Sequence, residues 1–245
     1  MQALSVLEKS LNYDWSAILC NETLEDVGQT NMPISWQPII ESPQLVQLLF
    51  GIIRANIASQ ASTPIKVKCA VSLQHLAFVR HAIFSSNESR IAYIGNFMAE
   101  LTQLFQSAHL VESIIKERQL YKEVVPILMK VQINFQVRDL LKNGEISFSA
   151  YLDELFKFTT ASYRMGSISV LFHASKLNHL WQRVYLEAMG LALPIKDHLY
   201  DLMRKVSEAY LDSNLALKQN QGNYQAAEGS DADDEDENFE KGQRT

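Results

Sequence analysis

Turn-forming residues are scarce in this chain. Nine glycines and six prolines among 245 residues come to about 6%, half the ~12% of average usage. A sandwich, barrel or propeller needs a turn signal every ~8–12 residues, and that supply is missing. Two cysteines, Cys20 and Cys69, make neither a disulfide framework nor a metal-ligand spacing, a usage that suits a reducing compartment. No uncharged apolar run approaches the ~18 residues of a membrane-spanning helix, so no membrane insertion is expected. Residues 1–10 lack the charged-then-apolar pattern of a secretory signal.

Motifs for chemistry are equally sparse. Neither a GxxxxGK[ST] nor a GxGxxG phosphate loop occurs. The six histidines, His75, His81, His109, His173, His179 and His198, show no HExxH or related ligand spacing. His75 and His81 lie six apart on one helix and do not share a face, so both read as packing or solvated residues. Without a nucleophile elbow or cysteine signature, no enzyme activity, cofactor or metal is expected. The sequons Asn21-Glu-Thr23 and Asn87-Glu-Ser89 read as chance matches. Arg204-Lys205 is the only adjacent basic pair in the helical body. Nucleic-acid binding requires a clustered positive footprint and is not expected.

What the chain does have is apolar residues, 47% of the total, enough for a sizeable core. They recur at helical spacing. A short helix is predicted at 4–11, followed by a polar loop over 20–37. Ser42-Pro43 opens a helix with Leu45, Leu48, Leu49, Ile52, Ile53 and Ile57 on one face. Thr63-Pro64 repeats that signal for a helix reaching about residue 84. Asn87-Glu88 starts a third, carrying Ile91, Ile94, Phe97, Met98, Leu101, Leu104 and Phe105. A helix over 117–141 contains Pro126, which should kink it, and Asn143-Gly144 stops it. Ser147 caps the next, with Tyr151, Leu155, Phe158 and Tyr163 inward, and Gly166 ends it. Another spans 168–189 with Gly190 beyond. Pro194 opens the last, which carries Leu199, Leu202, Met203, Val206, Tyr210 and Leu215 and fades near Gln219.

The helix starts pair as Pro43 with Pro64, Asn87 with Glu117, and Ser147 with Ile168. A helix–turn–helix unit therefore recurs every ~45–50 residues, near the ~40–47 of HEAT and armadillo repeats. The fold expected is all-α, an α-solenoid of antiparallel helix pairs; a single helical bundle fits the same periodicity. Phe97/Met98, Phe156/Phe158 and Trp181/Tyr185/Met189 read as the core of such pairs, or as an exposed groove for a bound partner.

Charge is concentrated at one end. The chain has 28 acids against 22 bases, a net −6, and eight of the acids fall between Glu228 and Glu240. Residues 1–227 are neutral. The organisation expected is a short helix and polar loop at 1–41, helical repeats at 42–219 and a disordered acidic tail at 220–245. Within that tail Asp231, Asp233, Asp234, Glu235, Asp236 and Glu237 form either a solvated linker or an electrostatic contact for a basic partner. A contact of that kind weakens steeply with salt.

Several segments resemble the importin-β superfamily, in particular its exportin-seven branch and the Ran-binding paralogue. They are Leu11-Asn-Tyr-Asp-Trp15; Ile34-Ser-Trp-Gln37 with Leu45-Val-Gln-Leu-Leu-Phe50; Leu76-Ala-Phe-Val-Arg80 through Phe84 with Asn87-Glu-Ser-Arg90; Tyr121-Lys-Glu123 with Asn134-Phe-Gln136; and Leu180-Trp-Gln-Arg183. They are colinear over about residues 11–190. The resemblance implies a solenoid of HEAT repeats in a nuclear transport receptor that shuttles between nucleus and cytoplasm. Its implied partners are Ran GTPase in the GTP form, protein cargo and the Phe-Gly repeats of the nuclear pore. It also implies that this chain matches an internal stretch of a longer receptor, with Ran held mainly by regions outside it. A helical-repeat scaffold unrelated to transport is the alternative.

Overall fold

A computed structural model describes residues 1–13, 15, 29–165, 168–190 and 195–230 of the chain. The described residues contain eleven α-helices and no strand, only an isolated bridge between Thr30 and Val79. The helices are α1 (Gln2–Leu11), α2 (Gln37–Glu41), α3 (Gln44–Ala55), α4 (Thr63–Leu76), α5 (Asn87–Gln106), α6 (Ala108–Lys116), α7 (Arg118–Asn134), α8 (Val137–Leu141), α9 (Glu145–Met165), α10 (Ile168–Met189) and α11 (Ile195–Ser230).

Local chemistry sets several helix starts. Ser42 Oγ accepts from the Gln44 backbone N–H at 3.4 Å ahead of α3, and Pro64 sits in the first turn of α4, where it forfeits no bond. Ser86 Oγ accepts from Ser89 N–H at 3.1 Å and caps α5, with Glu88 in the first turn. Gly144 takes φ +100°, a left-handed conformation that turns the chain from α8 into α9.

Tertiary contacts decide where several helices stop. α4 ends at Leu76 rather than near residue 84, because carbonyls beyond it are claimed elsewhere. Tyr93 Oη donates to Leu76 O at 2.8 Å, and Asn134 Nδ2 donates to Ala77 O and Val79 O at 3.3 and 3.0 Å. Phe78 and Arg80 instead bond Thr30 in the isolated bridge. The predicted 117–141 helix is two helices. Its break falls at Phe135, which is extended (φ −128°, ψ 122°), while α7 runs continuously through Pro126. Phe135 is fully buried and stacks on His81, so packing rather than proline breaks the rod.

Three further differences are local. α6, built on Val111, Ile114 and Ile115, occupies residues assigned to no helix from the sequence. α9 begins at Glu145, so Ser147 lies inside its first turn rather than at its cap. α11 continues to Ser230, past Gln219 where the apolar periodicity ends; the Gln, Ala and Glu residues there are good helix formers. Gly166, Pro194 and Cys20 lie outside the described residues.

The helices pack in two rows. α3, α5, α9 and α11 follow one another in the first row, and α1, α4, α7 and α10 in the second. α3 packs against α4 and α9 against α10, while α6 joins α5 to α7 and also touches α9. One contiguous set of buried side chains, from Leu11 to Val206, runs between the rows.

Residue spacing across the joints separates a solenoid from a bundle. In the first row Arg54 pairs with Glu100 at 2.7 Å, His198 Nε2 lies 2.8 Å from Asp153 Oδ1, and the Tyr163 and Tyr210 rings meet at 5.5 Å. In the second row Lys66 meets Glu117, Gln74 meets Glu123 at 2.7 Å, and Arg183 reaches Ile133 O. Every one of these partners stands 45 to 51 residues apart. A constant difference in residue number means parallel neighbours in register. An up-down bundle of sequential neighbours gives antiparallel contacts, in which the sum of the numbers is constant. The fold is therefore an α-solenoid of antiparallel helix pairs, with the repeat length read from the helix starts.

Candidate functional site: joints and faces of the stack

Four of the segments with family resemblance, 76–84, 121–123, 134–136 and 180–183, meet at the joints of the second row. Asn134 is 5% exposed; besides its two donated bonds, its Oδ1 accepts from Gln29 Nε2 at 3.0 Å. His81 Nε2 lies 3.0 Å from Asn134 O, and its ring stacks on Phe135 at 6.1 Å. Gln74 bonds both the backbone and carboxylate of Glu123. One repeat further, Arg183 pairs with Glu187 at 2.9 Å, and Glu187 accepts from Val137 N–H at 2.8 Å. Trp181 is buried and donates from Nε1 to Thr159 Oγ1 at 3.1 Å. These polar side chains hold successive repeats in register, a positioning role rather than a catalytic one.

A second buried polar joint was invisible in the sequence. Lys66 is fully buried, donates to Ser59 O at 3.0 Å and pairs with Glu117. It ties the α3–α4 turn to the α6–α7 corner. Arg90 pairs with Asp139 at 3.0 Å, and Lys142 bonds the same carboxylate at 3.1 Å. Burial pushes the Asp139 carboxyl up, but these two cations outweigh it and hold its pKa below the usual 3.8.

Histidines occupy packed or crowded positions. His75 lies 3.5 Å from Thr30 Oγ1, and burial, then Lys130, lowers its pKa. His173 is lowered by burial, then by Lys176, Lys122 and Arg118, against an opposing push from Glu123. Among the described residues no group of three or more His, Cys, Asp or Glu could hold a metal ion, and no helix is long and apolar enough to cross a membrane. Cys69 is buried, and burial pushes its thiol up to about 11, away from reactivity.

Open surface lies on α10, α11 and the turn of α3. A cleft of about 600 Å³ separates α11 from α9 and α10, with Phe156, Tyr163, Arg164, Leu171 and Asp212 among its walls. Tyr163, whose phenol is pushed up by burial, donates to Asn178 Oδ1 at 2.7 Å from that wall. Phe97, Met98, Phe158 and Trp181 are core as expected, Phe156 and Tyr185 are half-buried, and Met189 is exposed. Leu48 and Leu215 also face outward; Val46 and Phe50 fill the α3 face in place of Leu48. Asp231, Asp233, Asp234, Glu235, Asp236 and Glu237 lie outside the described residues.

The adjacent basic pair is neutralised. Arg204 bonds Asp201 and Glu208, and Lys205 bonds Asp201. Positive charge gathers elsewhere: Arg118 and Lys122 on α7 and Lys176 on α10, which packs against it, all act on His173. Two helices about 50 residues apart supply it, so adjacency along the chain hides it. The legible signal was the i, i+4 spacing of Arg118 and Lys122 together with the repeat length.

Comparison with known proteins supplies the relatives. The chain is 22% identical over 217 residues to human Ran-binding protein 17, a match covering 88% of this chain and 19% of that protein. It resembles exportins. Exportin-7-B of Xenopus laevis is 22% identical over 219 residues, covering 88% and 19%, and Ran-binding protein 16 of Drosophila melanogaster is 20% identical over 215, covering 86% and 18%. The chain thus spans about a fifth of the length of the curated relatives it matches. No family model matches the sequence, and no solved structure matches it. The likeness points to the importin-β superfamily and singles out no one member.

Proposed function

We propose that this chain is a helical-repeat segment of an exportin-type nuclear transport receptor, binding protein cargo within a complex governed by Ran in its GTP form. The observation that carries this reading is the colinear likeness to exportin and Ran-binding proteins over 88% of the chain. The stack supports it physically. Each repeat touches only its neighbours, so small adjustments at successive joints sum to a change of curvature. A ligand that prefers one curvature then alters affinity for a second, and the coupling is reciprocal.

On this reading the protein shuttles between nucleus and cytoplasm, and outward apolar residues such as Leu186 and Leu211 contact Phe-Gly repeats in the pore. The acidic run from Asp231 to Glu237 serves as an electrostatic contact for basic cargo. The test is affinity capture of the protein, tagged in its own cells, with Ran held in the GTP or the GDP form. The expected result is retention of Ran and cargo with GTP alone. Equal recovery in both forms, or none by the protein carrying every repeat its gene encodes, contradicts the transport role and favours a scaffold.

A further inference from the structure

Many cations of the described residues are already matched. Arg54, Arg90, Lys116, Lys142, Lys157, Arg183, Arg204 and Lys205 each stand within 3.2 Å of a carboxylate oxygen. Arg118, Lys122 and Lys176 are not, and they stand on α7 and α10, two helices packed against each other. Among the described residues none of the three has a carboxylate partner; Arg118 and Lys122 make no side-chain hydrogen bond, and Lys176 only lies 5.9 Å over the Phe172 ring. All three side chains are exposed; α7 packs against α10 with an offset of 50 residues, as Arg183 to Ile133 O and Val137 N–H to Glu187 show, which sets Lys122 level with Phe172 next to Lys176, and all three cations act on His173. Glu123 is the one acid that acts on His173, and it is bonded to Gln74. Phe172 is 68% exposed at the edge of the group, an apolar ring beside unmatched charge.

Unpaired like charges held together cost the free protein repulsion, which a carboxylate-bearing partner relieves. We propose that the α7–α10 face formed by Arg118, Lys122, His173 and Lys176 is a docking site for an acidic protein segment, with Phe172 receiving an apolar side chain of that segment. A nucleic acid fits less well. Three cations at one joint, on a body that is otherwise neutral, make no extended track along a phosphate backbone. The site is independent of the transport reading, since Ran dependence and acidic-segment binding can each fail without the other.

The test uses the full chain and fluorescein-labelled oligoglutamate carrying one central Leu, with a single-stranded oligonucleotide of equal charge as the second probe. Oligoglutamate is expected to bind the more tightly, with affinity falling as salt rises. Lys122→Glu with Lys176→Glu is expected to weaken it roughly tenfold. The same charge change made on α11, Lys196→Glu with Lys218→Glu, is expected to leave most of the affinity. Circular dichroism checks folding, and Lys122→Gln with Lys176→Gln reads the same contrast if the reversal does not fold. No oligoglutamate binding at low salt, equal loss in both double variants, or tighter binding of the oligonucleotide each overturns the proposal.

Discussion

Asn134 shows how one side chain can set the end of a helix. Its amide nitrogen serves two carbonyls, of Ala77 and Val79, whose residues are both fully buried. Asn134→Ala leaves both acceptors unsatisfied and should cost about 1–3 kcal/mol in urea unfolding. Asn134→Asp should cost at least as much, because a carboxylate has no donor to offer. An Asp variant as stable as the parent would contradict this role. The two crowded histidines give a pH signature. His75 and His173 both have folded pKa values below the ordinary 6.5, so the unfolded chain takes up protons first as pH falls. Their contribution is complete above about pH 6.5 and is lost below it, towards the lowered folded values. The urea midpoint should drop between pH 7.5 and 5.5, and less in His75→Gln/His173→Gln. At this scale the sequence was least informative. Asn134 and His81 stood out only through resemblance, and nothing along the chain marked Lys66 as buried, because a joint between repeats is made by residues 45 to 51 positions apart.

Elements were legible where local chemistry sets them. The starts of α3, α4 and α5 followed Ser-Pro, Thr-Pro and Asn-Glu signals, and the left-handed Gly144 sits where Asn143-Gly144 announced a stop. Gly144→Ala keeps open space for its methyl but not the backbone conformation, so a loss of about 1–2 kcal/mol is expected in thermal or urea unfolding. An unchanged midpoint would mean the turn readily adopts another conformation. Periodicity failed where tertiary bonds override it, at Leu76 and at Phe135, since an apolar pattern continues across both breaks. Lys66 pins two such corners together. Lys66→Met strands the Glu117 carboxylate and the Ser59 carbonyl, and should cost about 3–5 kcal/mol. Adding Glu117→Gln should return part of that loss. A double variant no better than the single would mean that the charge pair is not the cause.

The whole molecule follows from repetition. Contacts between neighbouring repeats fall 45 to 51 residues apart, near the repeat of ~45–50 expected from the sequence, and parallel register within each row makes an open stack. Sequence periodicity alone fits a bundle almost as well as a solenoid, because both bury the same apolar faces; the direction of the contacts separates them. The α7–α10 face was hidden for the same reason, since its three cations come from adjacent repeats. The openness of the stack is the claim on which the receptor reading and the α7–α10 site both stand. It is tested most directly by a spin-label distance between Leu48→Cys on α3 and Leu211→Cys on α11, two exposed positions at opposite ends of the first row, in a Cys20→Ser/Cys69→Ala background. Three helix-to-helix steps of ~8–10 Å place the labels roughly 25–30 Å apart or more. A distribution centred below about 20 Å, as for helices closed into one bundle, would contradict the account.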